Sequence, residues 1–252
     1  VKKIFMSLLV GAAVISSGAA SAAISQWSVG AAASYSPVVY TETDSNKVVI
    51  PTLGYEGEHV FLRGFSAGAR LYPIGTPQNV IFRLLYDPRT LKPEDSDNAD
   101  IKLLDERKAS ILGAITYQVL TPVGVFEVGA GTDVGNKHNG LYAEAAWRLP
   151  IRMNGWGITP AIGYSYNSEE INNHLYGVSA AESARTSGRI SAFEADWDGQ
   201  YFVGLSGYFH ITDRVRVTGG FRYMNLEGGI ESSPIIEHTT ISTGNIGISY
   251  LF

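Results

Sequence analysis

Cysteine is absent from the 252 residues. That excludes a disulfide framework and a lipoprotein anchor. Long apolar runs are also missing. Past residue 22 no stretch approaches the roughly 20 apolar residues that a membrane helix needs. Basic charge is scarce: 19 Lys and Arg stand against 24 Asp and Glu, for a formal net charge of −5. No basic stripe supplies a phosphate footprint, which argues against nucleic acid as a partner. None of these absences weighs against a transmembrane β-barrel, where only alternate residues of a strand face lipid. The abundant residues point toward one. Gly 28, Tyr 14, Phe 10 and Trp 4 suit a wall in which glycine allows bending and aromatics form interfacial girdles.

Both ends of the chain carry signals. Lys2 and Lys3 precede an apolar run over residues 4–15, then small residues ending in Ala20-Ser21-Ala22. This is the pattern of a cleaved signal peptide, too short to span a bilayer. It predicts residues 1–22 as signal peptide and 23–252 as the mature domain. At the other end, Phe252, Tyr250, Ile248 and Ile246 share one strand face, and Leu251, Ser249, Gly247 and Asn245 share the other. A last strand that closes a barrel has a continuous apolar face of this kind, whereas ordinary termini are polar and fray. The ending resembles the carboxy-terminal signature, centred on Phe252, that the outer-membrane assembly machinery reads. The bland alternative is a buried edge strand.

Short alternating segments recur between these ends. They cover residues 26–35, 48–55, 59–72, 79–87, 109–119, 123–133, 141–151, 156–167, 201–210, 215–226 and 239–252. Within 141–151, Glu144 and Arg148 oppose Leu141, Ala143, Ala145, Trp147 and Leu149. No segment shows a sustained helical period. Tight turns at 121–122, 153–155 and 212–213 alternate with long connections at 88–108, 134–140, 167–199 and 227–238. Outer-membrane barrels have short periplasmic turns and long external loops. An even strand number is required, so the eleven segments become twelve if 59–72 divides near Gly64-Phe65. The expected fold is an all-β antiparallel transmembrane barrel of 12 strands, with 10 as the alternative.

Ordered motifs add a family. They are Gly54-Tyr55-Glu56-Gly57, Leu62-Arg63-Gly64, residues 104–110 (LDERKAS), Tyr176-Gly177-Val178-Ser179, Glu182-Ser183-Ala184-Arg185, residues 232–237 (SSPIIE) and the Ser249-Tyr250-Leu251-Phe252 ending. Over the whole mature chain the sequence resembles the MltA-interacting protein family (MipA/OmpV) of Gram-negative outer membranes. It departs from that pattern at Ser232, where an acidic residue is commoner, and at Glu106 and Glu237, where Asp is commoner. The resemblance implies an outer-membrane barrel among lipid and lipopolysaccharide, without enzymatic activity, cofactor or metal. It brings no catalytic residues. It implies a scaffold joining a murein transglycosylase to a peptidoglycan synthase, or else a porin-like channel or adhesin.

Candidate chemistry is thin. Glu94, Asp95, Asp97, Asp100, Asp105 and Glu106 crowd one predicted external loop, but their spacing is not that of an EF-hand. A solvated loop is the simpler reading. Arg107 with Asp105, and Arg185 with Glu182, offer charge pairs to anchor loops over the lumen or, inside a polar lumen, to set pore selectivity. His59, His138, His174, His210 and His238 show no metal-ligand spacing. A barrel hydrolase acting on lipid A needs a Ser beside a His. His174 with Ser179 or Ser183, and His238 with Ser232 or Ser233, are the nominal pairs. Pro234-Ile235-Ile236 is either an exposed contact or a segment packed back into the barrel mouth.

If the cleavage reading is right, amino-terminal sequencing of the outer-membrane form returns Ala23 as the first residue. A start at Val1, or beyond Gln26, contradicts it.

Overall fold

The computed structural model describes residues 26–36, 39–43, 46–226 and 228–252. The predicted signal peptide and its cleavage site lie outside them. Period-two alternation becomes thirteen strand segments: β1 (Gln26–Ser36), β2 (Asn46–Glu56), β3 (Val60–Arg63), β4 (Ser66–Arg70), β5 (Gln78–Asp87), β6 (Ser110–Thr121), β7 (Gly124–Asp133), β8 (Leu141–Arg148), β9 (Ile151–Met153), β10 (Trp156–Asn167), β11 (Asp198–His210), β12 (Val215–Asn225) and β13 (Thr240–Leu251). Neighbours pair antiparallel. β13 returns to β1, from Ser28↔Leu251 to Tyr35↔Gly244, and closes the sheet into a barrel.

β8 and β9 both pair with β10, so they form one stave and the wall has twelve. The expected continuous strand over 141–151 breaks at Leu149-Pro150, because Pro150 has no N–H to give to a ladder. Leu149 still donates to the Pro160 carbonyl at 3.0 Å, which keeps the two pieces in line. The division at Gly64-Phe65 is present, with Gly64 at φ +59 making the tight turn between β3 and β4. This hairpin is short, and its turn lies on the long-loop side of the barrel. It departs from the rule of short turns at one end only.

The usual burial pattern is inverted. Ile248 is 50% exposed on the outer face, while its neighbour Leu251 on the inner face is 4% exposed. Trp27, Val29, Phe82, Leu84, Ile115, Val128, Ile162, Val203 and Ile246 also face outward and exposed. Most lumen-facing positions are small, polar or charged. Where the lumen admits a ring, a glycine opposes it. A Cβ on Gly163 would stand 2.4 Å from the Phe202 ring, and one on Gly68 would stand 2.4 Å from the Phe61 ring.

The apolar core lies above the wall, in the long loops. Residues 167–199 contain two helices that the absence of a sustained helical period hid: α1 (Glu169–Tyr176) and α2 (Ala180–Arg185). Both are too short for a clear period, and tertiary packing stabilises them. Their start signals are local. Glu169 and Glu170 occupy the first turn of α1. Ser179 and Glu182 form a reciprocal capping box on α2.

The facing of β13 is testable. Ile248→Asp puts a charge on the lipid face and costs up to a few kcal/mol near the midplane. Gly247→Asp faces the lumen, and its new Cβ meets Thr218 Oγ1 at 3.2 Å. Heat-modifiable migration on gels should be lost first for Ile248→Asp; the reverse order contradicts the facing.

Candidate functional site

A roof closes the long-loop end. Val39, Tyr40, Leu91, Ile101, Leu104, Ile171, Leu175, Tyr176, Val178, Ile190, Ala195, Leu226, Ile230 and Ile235 form one buried cluster drawn from four long loops. Ile171 and Leu175 are four residues apart on α1 and so share its buried face. Polar contacts set the loops in register. Tyr40 Oη donates to the Leu175 carbonyl at 2.9 Å, and Ser233 Oγ donates to the Tyr176 carbonyl at 2.7 Å. The segment at Pro234-Ile235-Ile236 packs inward: Ile235 is fully buried and Ile236 bridges to Tyr40. The exposed-contact reading of that segment fails because two apolar side chains find the roof core instead of water.

The charge pairs cross between loops. Arg107 pairs with Glu182 at 2.7 Å, and Arg185 pairs with Asp105 at 2.8 Å. Residues within each segment are exchanged with the other, which ties the loop after β5 to α2. Glu182 is the pivot. It accepts from the backbone N–H of Ser179 at 2.8 Å and of Asp105 at 3.0 Å. Burial opposes ionisation of this carboxyl, but these donors and the Arg107 guanidinium outweigh it and hold its pKa at about 2. Arg107 also donates to the Gly177 carbonyl at 2.9 Å. Beneath, Asp87 and Arg89 make a forked pair with a shortest contact of 2.6 Å.

The lumen is crossed by charge. Glu127 meets Arg148 at 2.8 Å and Arg83 at 3.7 Å; Glu144 meets Arg148 at 3.3 Å and Arg222 at 3.0 Å. Nearer the short-turn end, Glu56 holds Arg63 at 2.8 Å and Arg70 at 2.5 Å. Both of these guanidinium groups lie 4.6 Å from the Phe61 ring. Sequence reading placed Glu144 and Arg148 on one face, but their further partners are Glu127 on β7 and Arg222 on β12, the latter far away in sequence.

The acidic loop is dispersed. Asp100 pairs with Arg189 at 2.6 Å, Asp105 with Arg185, and Glu106 lies 3.9 Å from Lys108. Among the described residues no three His, Asp or Glu side chains gather as a metal site. The nominal serine–histidine pairs are not formed. Ser179 Oγ is engaged with Glu182, Ser233 with Tyr176, and His174 Nε2 donates to the Lys108 carbonyl at 2.9 Å. The fold instead makes a pair that was not foreseen. Ser110 Oγ lies 3.1 Å from His138 Nε2, and the rings of His138 and His174 are 5.5 Å apart. His138 Nδ1 accepts the Gly140 N–H at 3.0 Å, so Nε2 carries the proton and donates to the serine. A general base needs the opposite tautomer, with an acid on Nδ1. Burial also pushes the His138 pKa down, which favours the neutral ring. The pair fixes the loop after β7 to the start of β6.

A closed antiparallel wall with an apolar exterior, a charged lumen and a packed loop roof defines an outer-membrane β-barrel protein of a Gram-negative bacterium. The chain belongs to the MipA family: the model described as "MltA-interacting protein MipA" matches residues 29–252. It is 27% identical over 245 residues to the MltA-interacting protein of Escherichia coli K12, covering 97% of this chain and 98% of that one. It is 24% identical over 213 residues to the outer membrane protein OmpV of Vibrio cholerae serotype O1, covering 84% of this chain and 81% of that one. Among solved structures it is similar to the COG4313 outer membrane channel from Pseudomonas putida F1, with TM-score 0.48 and 7% identity over 94% of this chain and 98% of that one. Apart from the Ser249-Tyr250-Leu251-Phe252 ending, the motifs that carried the resemblance lie in the Glu56 cluster and the roof.

The Arg107–Glu182 lock has a pH signature. A carboxyl with a depressed pKa contributes stability that is fully present above its unfolded value near 4.5. That stability is lost as pH falls toward about 2. Hydrogen exchange of 169–185 should therefore accelerate across that window while strand amides stay protected. Arg107→Ala leaves Glu182 buried and unpaired at a cost of about 3–5 kcal/mol. It should produce the same local loosening at neutral pH; unchanged exchange in the roof contradicts the lock.

Proposed function

We propose that this barrel is a non-enzymatic scaffold of the outer membrane that holds a murein transglycosylase, and through it a peptidoglycan synthase, at the membrane's inner face. The observation that carries this reading is the obstructed lumen. A packed roof lies above it and a continuous Arg–Glu network crosses its middle, an arrangement unlike the open channel of a general porin. Kinship to a protein named for its interaction with MltA supports the partner class. The same reading takes residues 1–22 as the export signal.

Murein lies on the short-turn side, so the docking surface belongs there. The connection over 71–77 is the longest at that end. Asn79 stiffens it by accepting the Tyr72 N–H at 3.1 Å and donating to the Tyr72 carbonyl at 2.8 Å. It presents Leu71 and Tyr72 exposed beside Pro73. A rigid apolar tip limits the entropy lost on binding.

A purified murein transglycosylase should be retained by the immobilised full chain. The double substitution Leu71→Ser, Tyr72→Ser should weaken retention at least about tenfold, corresponding to ~1.4 kcal/mol. Equal retention by both proteins removes the proposed surface, and no retention by either removes the scaffold reading. Ion-selective conductance steps in planar bilayers at neutral pH would instead favour the narrow channel.

A further inference from the structure

One sector of the wall is incomplete. β2 pairs with β1 along its whole length, from Gln26↔Glu56 to Ser36↔Asn46. On its other edge it pairs with β3 only at Gly54, Tyr55 and Glu56, and the Gly64 N–H adds one bond to the Leu53 carbonyl at 3.2 Å. Since Leu53 points its backbone groups at β3, Pro51 and Val49 do the same by the alternation of an antiparallel ladder. Among the described residues, nothing pairs with them there. The β3–β4 hairpin turns back at Gly64-Phe65 before reaching their level. β5, on the far side of the hairpin, remains paired up to the bond from the Tyr86 N–H to the Phe65 carbonyl at 3.2 Å. The result is a slot through the wall in its long-loop half, bounded by β2, the hairpin turn and β5.

The slot is built as an opening. Pro51 stands at an edge position and removes a donor that would otherwise be left unsatisfied in lipid. It also makes the edge a poor template for an added strand. Apolar side chains fill the slot: Ile50, which faces the lumen, packs with Ala32, Phe65 and Tyr86. Tyr86 belongs to the outward face of β5, so inward and outward side chains touch here across the wall. The Phe65 and Tyr86 rings stand 6.0 Å apart.

Behind the slot lies a cavity of about 300 Å³, at the lower end of the size of small-molecule pockets. Its lining changes character along its length. Ala32, Ile50, Phe65 and Leu85 lie toward the slot, while Ser28, Glu56, Arg63, Arg216 and Ser249 lie toward the short-turn end. Glu56 is already held by Arg63 and Arg70. Arg216 makes no ion pair among the described residues, and Arg216 Nε and Arg63 Nη2 are buried without an acceptor. A half-buried guanidinium with an unmatched buried N–H favours an anion.

We propose that the cavity binds a single-chain amphipathic anion that enters sideways from the outer leaflet through the slot gated by Phe65 and Tyr86, with its head on Arg216 and its alkyl tail among Ala32, Ile50 and Phe65. A free fatty carboxylate and an anionic lysophospholipid share this chemistry. The site is independent of the docking surface at 71–77, so either can fail alone.

The test uses the full chain folded in an uncharged detergent, with a lauric acid analogue carrying a photoreactive group near its tail. Mass spectrometry should place the label on Ile50, Phe65 or Tyr86. Unlabelled laurate should compete and lauryl alcohol should not. Competition by lysophosphatidylglycerol in preference to laurate would assign the head to a lipid source. Arg216→Gln should reduce lumen labelling about tenfold, Arg216→Lys should retain most of it, and Ala32→Phe should block it by filling the cavity. Heat-modifiable migration confirms folding, and Ala32→Phe decides the matter if Arg216→Gln does not fold. Label confined to lipid-facing residues such as Leu53 and Val203, or lumen label unchanged in either variant that removes charge or space, overturns the proposal.

Discussion

Hydrocarbon accepts and donates no hydrogen bonds, so a chain that crosses it as strands must close its ladder on itself. The β13–β1 pairing does this, with eight residue pairs from Ser28↔Leu251 to Tyr35↔Gly244. The rest of the architecture follows from that closure. Once the ladder is a ring, the outer face must be apolar and the inner face is free to be polar. The Arg and Glu side chains that would be costly on the outside gather in the lumen, where most of them pair with one another. The sector beside Pro51, where the ladder lapses, is sealed by aromatic side chains in place of backbone bonds.

A barrel whose exterior faces lipid cannot use its strands to bury an apolar core against water. This chain builds that core in its loops. Fourteen buried hydrophobic residues form the roof cluster, and α1 and α2 exist because each presents a buried face or a capped, ion-paired end to it. The Arg107–Glu182 and Arg185–Asp105 pairs add register more than strength. The first is buried and each of its members is also hydrogen-bonded, whereas the second is half exposed and worth little by itself. The roof also restricts how anything reaches the lumen, since an axial route from outside must pass through packed side chains.

The strand pattern was legible because a half-buried strand shows its period directly. Trp156–Asn167 was read with the bounds it has, and the other long strands lie within a few residues of their expected limits. The stave at 141–153 was misread because Pro150 was weighed as part of an alternating run and not as a missing donor. The helices were missed because eight and six residues are too few for a period. The Ser179–Glu182 capping box was the available signal, read only as a motif. The partners of Arg107 and Arg185 were both named from sequence, yet within the wrong segments. Charge type marks which residues will pair but not which loop folds over which.

By itself, the sequence determined the class of the molecule, its strand faces, its closure by the last strand and its family. These rest on local periodicity and ordered motifs, which tertiary packing does not change. Only the tertiary structure decided that the long loops form a roof, that Ser110 and His138 meet in a tautomer unsuited to catalysis, and that the β3–β4 hairpin stops short of β2's upper half. Each of these depends on side chains tens of residues apart arriving at one place, or on how far one strand extends beside another. Ring closure and strand length in space set those distances, and neither is written in the spacing of residues along the chain.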